Sequence, residues 1–189
     1  MNDVWLVRHG ETEWTLSKQH TSRTDVPLTE RGEEQAAELA PLLAAPQFAL
    51  VLTSPRERAR RTAALAGFPD ADVDDDLVEI DYGDYEGRTT EEIHEERPDW
   101  FLWTDGSPNG ESPDDAGRRA DHVIERISGA DGPILVFGHG HMSRILGARL
   151  LGLPAADGQL FVMDPASVSI VGSEHGRRAF MRWNWSPRL

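Results

Sequence analysis

The sequence predicts an α/β fold: a single-domain three-layer sandwich, with a mostly parallel sheet between two layers of helices and an antiparallel edge hairpin near the C-terminus. Three observations carry this. Apolar runs of strand length alternate with helical repeats along the chain, the pattern of parallel strands joined by helical crossovers. Strand-to-helix switches are marked by turn chemistry, at Ser54-Pro55 and at the glycines of VFGHGH. The 189 residues contain no internal repeat and no low-complexity linker, so 1–189 is expected to be one domain.

The elements follow in order. VWLV (Val4 to Val7) reads as a strand buried on both faces. PLTERGEEQAAELAPLLAA places Leu39, Leu42 and Leu43 on a helical repeat, with a kink at Pro41. In ALVLTSPRERARRTAALAG a second strand gives way to a helix, for which Ser54 is the expected N-cap, Pro55 the first position, Glu57 the capping-box partner and Gly67 the stop. Residues 70–113 are irregular and acidic and read as an excursion over one end of the sheet. SPDDAGRRADHVIERISG repeats the Ser-Pro start at Ser112 and ends near Gly129. PILVFGHGHMSRILGARLLGLP is a buried strand, a glycine turn and a helix, and SVSIVGSEHGRRAFMRWNW is two strands joined at GSEHG.

Composition narrows the function. Nineteen Lys and Arg against 33 Asp and Glu give a net charge of −14, which disfavours nucleic acid or an anionic membrane as a partner. Most of the excess, in DADVDDD and TTEEIHEE, is expected on a solvated face. Zero cysteines exclude a thiolate nucleophile and suit a cytoplasmic protein, and MNDVWLVRHG lacks the layout of a secretory leader.

In a parallel sheet, ligands bind beyond the carboxyl ends of the strands. The polar residues there are Arg8 and His9, then Ser54 and Arg58, then Glu79 in LVEIDYG, and His139 in VFGHG. Two guanidiniums, two imidazoles and one carboxyl suit a phosphoryl group, since arginine forks bind phosphate oxygens and an imidazole can attack phosphorus. His139 and His141 alternate on an extended segment, but no third ligand follows at recognisable spacing, so neither metal nor cofactor is expected.

The motifs LVRHGETEW, TDVPLTERGEEQA, TSPRERARRTA, LVEIDYGDYEG, NGES and VFGHGHMSRILGARLLGLP, in this order, resemble the histidine phosphatase superfamily over nearly the whole chain. The resemblance implies a phosphoglycerate mutase-like fold, with the 70–113 excursion over the active site. It makes His9 the phosphorylated residue, Arg8, Arg58 and His139 the groups around the phosphate, and Glu79 the proton donor to the leaving group. Thr15 stands where many members have asparagine and offers a hydroxyl to a phosphate oxygen. Ser22 replaces a common glycine in the loop that also carries Thr21. Thr21, Ser22, His141, Trp100 and Trp103 are candidates for the substrate pocket, with core packing as the alternative for His141 and the two tryptophans. Arg23, Arg88 and Arg144 are candidates for a second anionic contact, or ordinary surface charges.

Charge neutralisation by Arg8, Arg58 and a protonated His139 is expected to do most of the work, and the proton needs of Glu79 favour mildly acidic to neutral pH. The short, acidic stretch between Gly87 and Ser112 favours hydrolysis of small phosphorylated metabolites, such as sugar phosphates, over mutase chemistry. A cofactor-dependent phosphoglycerate mutase and a non-catalytic phosphate-binding relative are the alternatives, and a homodimer is compatible with all three.

Overall fold

The computed structural model describes residues 2–186. The chain begins with β1 (Val4–Arg8) and the single turn α1 (Glu13–Leu16). The expected long helix is two, α2 (Glu30–Glu38) and α3 (Ala40–Leu43), broken before Pro41, which occupies the first turn of α3. Next come β2 (Leu50–Thr53), α4 (Glu57–Leu65) and β3 (Asp72–Val73). The acidic stretch continues through two 3₁₀ turns, α5 (Thr90–Glu96) and α6 (Leu102–Asp105). The chain closes with α7 (Pro113–Ile127), β4 (Ile134–Gly138), α8 (Gly140–Leu150), β5 (Val168–Glu174) and β6 (Arg177–Trp185).

The six strands lie in the order β3-β2-β4-β1-β5-β6. Those from β3 to β1 are parallel, and β5 and β6 run antiparallel at the other end. The hairpin turns at His175 and Gly176, both at positive φ, the conformation that tight antiparallel connections need. β3 was not expected: the acidic run forms a short edge strand beside β2, with both residues exposed, because two ladder positions need no apolar side chain.

Alternation along the strands divides the core into two layers. Val4, Leu6, Ile134 and Val136 pack against Ala120 and Val123 of α7 and Ile145 and Leu146 of α8. Val7, Leu135 and Phe137 face the other way, against Leu39, Leu43 and Ala63 of the layer formed by α2, α3 and α4. The connection leaving β1 crosses the second face and that leaving β4 crosses the first. The crevice between neighbouring β1 and β4 is therefore the point where the winding reverses.

Local signals decided one Ser-Pro pair and not the other. Ser112 caps α7 in a full box with Asp115. Ser54 does not cap α4, which starts at Glu57 after Arg56; the Glu57 N–H is instead taken by Asp25 of a distant loop, 2.9 Å away. The hydroxyl of Ser54 is committed elsewhere.

Candidate active site

Register brings the strand ends level. Arg8 pairs with Gly138, and the next amide, His9 N–H, donates to the Gly138 carbonyl at 3.0 Å. Ser54 N–H likewise reaches Phe137 O at 3.0 Å. His9 and His139 thus meet across the crevice with ring centroids 5.3 Å apart. Glycine follows His9 because the backbones of Gly10 and Gly32 touch, and a Cβ on Gly10 would stand 2.4 Å from Gly32 O.

His9 is buried, and its Nδ1 lies 2.8 Å from the carbonyl of Gly10. Only a protonated Nδ1 can bond that oxygen, so Nε2 carries the lone pair. Burial, then the charges of Arg58 and Arg8, hold the His9 imidazole well below its ordinary range and keep it neutral.

Arg8 and Arg58 flank the rings. Arg58 is fully buried, its Nη1 and Nη2 donating to the carbonyls of Thr24 at 3.1 Å and Thr21 at 3.2 Å. Arg8 donates to Met163 O and lies against Gly140, where a Cβ would come within 3.3 Å of the guanidinium carbon. Burial lowers the pKa of both, partly countered by Glu79. The Nε atoms of both and the Nδ1 of His139 are buried without a partner among the described residues. Buried donors of this kind are rare unless a ligand or water completes them.

His139 ends β4 and precedes α8. It was expected to act protonated; burial, then Arg58, His9 and Arg8, push its pKa well down, and the charge of a phosphate would push it back up. Its Nε2 lies 2.7 Å from the Ser54 hydroxyl. With Ser54 donating, the ring's one proton sits on the unpartnered Nδ1 and remains available.

Glu79 reaches the crevice from the 70–113 excursion. Its carboxylate accepts from the N–H groups of Ile80 (3.0 Å), Met142 (2.7 Å) and His141 (3.0 Å), the last two being orphan amides of the first turn of α8. One carboxylate thereby caps a helix more than sixty residues away.

A pocket of about 370 Å³ opens over this floor, lined by Arg8, His9, Thr15, Thr21, Glu79 and His141 among the expected residues. Three expectations need correction. The Thr15 hydroxyl is engaged with Thr12, donating to its carbonyl at 2.8 Å and accepting its N–H at 2.9 Å in the α1 capping box, so its proton is already used. Ser22 is buried outside the pocket, bonded to Glu79 O at 3.1 Å and, through its amide, to Glu86. Trp100 and Trp103 lie behind the wall: Trp100 donates to Gly106 O at 2.8 Å, and Trp103 packs beneath His141 and Arg144. Trp14 is the tryptophan that lines the pocket.

Of the three arginines considered for a second anion, Arg23 pairs with Asp81 and Arg88 with Glu96, and Arg144 alone lines the pocket. Lys18, Gln19, His20, Tyr82, Met163 and Asp164 also line it and were not singled out from sequence. The Tyr82 position could have been found, since it follows Glu79 by three residues in the same motif; the Met163 loop carries no local signal. Burial lowers the pKa of His20 to about 4. Among the described residues no group of three His, Cys, Asp or Glu side chains is placed to share a metal ion, and no helix is long and apolar enough to cross a membrane.

Facing imidazoles, two buried guanidiniums and a carboxyl within electrostatic reach of one another, with Arg8, His9 and Glu79 open to the pocket and Arg58 and His139 fully buried behind them, define an enzyme that handles phosphoryl groups. The model of the histidine phosphatase superfamily (branch 1) matches residues 4–186. An acid phosphatase of Mycobacterium tuberculosis is 44% identical over 179 residues, covering 92% of this chain and 87% of that protein. The sedoheptulose 1,7-bisphosphatase of Saccharomyces cerevisiae is 40% identical over 182 residues, covering 78% of this chain and 67% of that protein. The solved structure of the M. tuberculosis open reading frame Rv3214 superposes with a TM-score of 0.91 at 40% identity, covering 98% of each chain. The chain belongs to the histidine phosphatase superfamily and is a phosphatase.

Proposed function

We propose that this enzyme hydrolyses small phosphate monoesters, sugar phosphates among them, without a metal and through a phosphohistidine on Nε2 of His9. The observation that carries the proposal is the His9–Gly10 hydrogen bond, which leaves Nε2 as the free lone pair beside three unpartnered donors. The names of the similar acid phosphatase and sugar bisphosphatase support the substrate class.

In the first step Nε2 bonds to phosphorus as the ester P–O bond breaks, and the Glu79 carboxyl passes its proton to the departing oxygen. Arg8, Arg58 and the Nδ1–H of His139 are suited to hold the equatorial oxygens, where preorganised donors lower the barrier most. In the second step water gives a proton to Glu79 and its oxygen to phosphorus. The P–N bond then breaks, releasing inorganic phosphate and restoring the lone pair of His9. The absence of cysteine in all 189 residues suits a reducing, cytoplasmic setting.

The test is phosphate release from sugar phosphates, phosphoglycerates and nucleotides in EDTA, with His9→Ala as the blank. Release that is retained in EDTA and lost in the variant is expected. A requirement for divalent metal, or release that survives the substitution, overturns the mechanism. Isomerisation of 3-phosphoglycerate that depends on a bisphosphate primer would place the enzyme among the mutases.

A further inference from the structure

The histidine that follows the phosphate-binding turn is tied at two points. The backbone N–H of His141 donates to Glu79 Oε2 at 3.0 Å, and its ring Nδ1 lies 2.6 Å from the hydroxyl of Tyr82. Tyr82 is itself fixed, being 2% exposed, with the ring of His20 tilted over it at 4.6 Å. Trp103 supports the imidazole from behind at 5.3 Å.

The direction of the Tyr82–His141 bond follows from chemistry. The phenolic hydroxyl has no other hydrogen-bond partner, and a phenol is a far stronger acid than a neutral imidazole N–H. Tyr82 therefore donates and Nδ1 accepts, so the single proton of the neutral ring sits on Nε2. Nε2 has no partner among the described residues, and the ring lines the pocket next to Glu79, on the side where the leaving group must lie. Burial and the neighbouring Arg144 keep His141 uncharged, so it offers a neutral donor rather than a second phosphate clamp.

We propose that Tyr82 and His141 together read a hydroxyl on the leaving group: His141 Nε2–H donates to it, Tyr82 positions the donor, and polyol phosphates are preferred over phosphates of plain alcohols. This rests on the phosphatase reading above and specifies which esters the same site selects. The physical basis is asymmetric. A hydroxyl-bearing substrate completes a fixed, half-desolvated donor, whereas an analogue without the hydroxyl strips its water and returns nothing.

The experiment compares kcat/KM for glycerol 1-phosphate and n-propyl phosphate, which share chain length and differ by two hydroxyls. The wild type is expected to prefer the glycerol ester by about tenfold or more. Tyr82→Phe removes one oxygen and keeps the packed ring, and should bring the ratio down toward one. His141→Asn retains a donor and should keep more of the preference than His141→Leu. Thermal melts of each variant separate loss of fold from loss of selectivity. A wild-type ratio near one, or equal losses on both esters in Tyr82→Phe and His141→Leu, overturns the proposal. His9-dependent release from phenyl phosphate, measured alongside, tests the parent reading: its absence removes both, whereas its presence with a ratio of one removes only the hydroxyl reader.

Discussion

The His9 ring nitrogen Nδ1 sits 2.8 Å from the carbonyl oxygen of the very next residue, Gly10. The nucleophile is thus set by its own strand end and needs no distant carboxylate. It follows that His9→Ala should lower kcat by at least about 10⁴-fold while leaving the fold intact, since the ring spans only the crevice. Rapid quenching with labelled substrate should trap an acid-labile, base-stable phosphoenzyme in the wild type and none in the variant.

Arg58 holds two loop carbonyls while its buried Nε has no partner among the described residues. A lysine has one compact ammonium and cannot serve both sides. Arg58→Lys should fold and lose about 10²–10³-fold in kcat/KM. Arg58→Ala should also melt earlier, because the carbonyls of Thr21 and Thr24 lose their donors at a cost of about 1–3 kcal/mol each.

Glu79 is gripped by three amides yet has to deliver a proton. Leaving groups separate the two roles. With Glu79→Gln, turnover of alkyl phosphates should fall about 10²–10⁴-fold. For p-nitrophenyl phosphate, whose anion departs unaided, the fall should be much smaller. Equal falls on both substrates would mean that Glu79 acts only by holding α8.

The Ser54 hydroxyl lies 2.7 Å from Nε2 of His139, and as the donor it keeps the ring's proton on Nδ1. Ser54→Ala frees the ring to place its proton on Nε2, away from the phosphate. A loss of about tenfold in kcat is expected, about one hydrogen bond's worth, with Tm changed little. Unchanged kinetics would show that the tautomer is fixed some other way.

Two buried and two half-buried histidines make the fold sensitive to acid. His9, His139 and His141 are held well below the ordinary value, and His20 at about 4, in each case chiefly by burial. The unfolded chain binds protons at these residues near pH 6.5, before the folded chain does. Stability from their neutral forms is therefore complete above about pH 6.5 and is lost as pH falls below it. For His20 the loss continues down to about 4. Melting curves from pH 7.5 to 4.5 should show Tm falling in acid, and His20→Phe should flatten the slope; a Tm that stays level or rises would reverse the assignment.

The two Ser-Pro pairs show how far sequence carries. Ser112 behaves as its local chemistry dictates because Asp115 supplies the rest of the box within the same turn. Ser54 has the same local credentials, but His139 approaches from β4 and takes its hydroxyl, while Asp25 takes over the Glu57 amide. Thr15 departs in the opposite sense: a residue expected to serve the ligand is held by its neighbour Thr12. In each case two partners compete for one short polar side chain, and distance along the chain does not decide the winner.

Arg8, His9 and His139 were legible as polar residues just beyond apolar strands that share one sheet edge, whereas Arg58 in α4 and Glu79 in the irregular stretch were singled out with them through the order of the motifs. The sandwich itself was legible for the same reason, since periodicity encodes which faces must be buried. The tertiary structure alone decided the proton on His9, the carboxylate that caps α8, and the placing of Tyr82 beside His141 and His20 at the pocket wall. The last two are hydrogen bonds and ring contacts between segments tens of residues apart, and their geometry exists only once the two core layers have fixed the sheet and its helices to within an ångström.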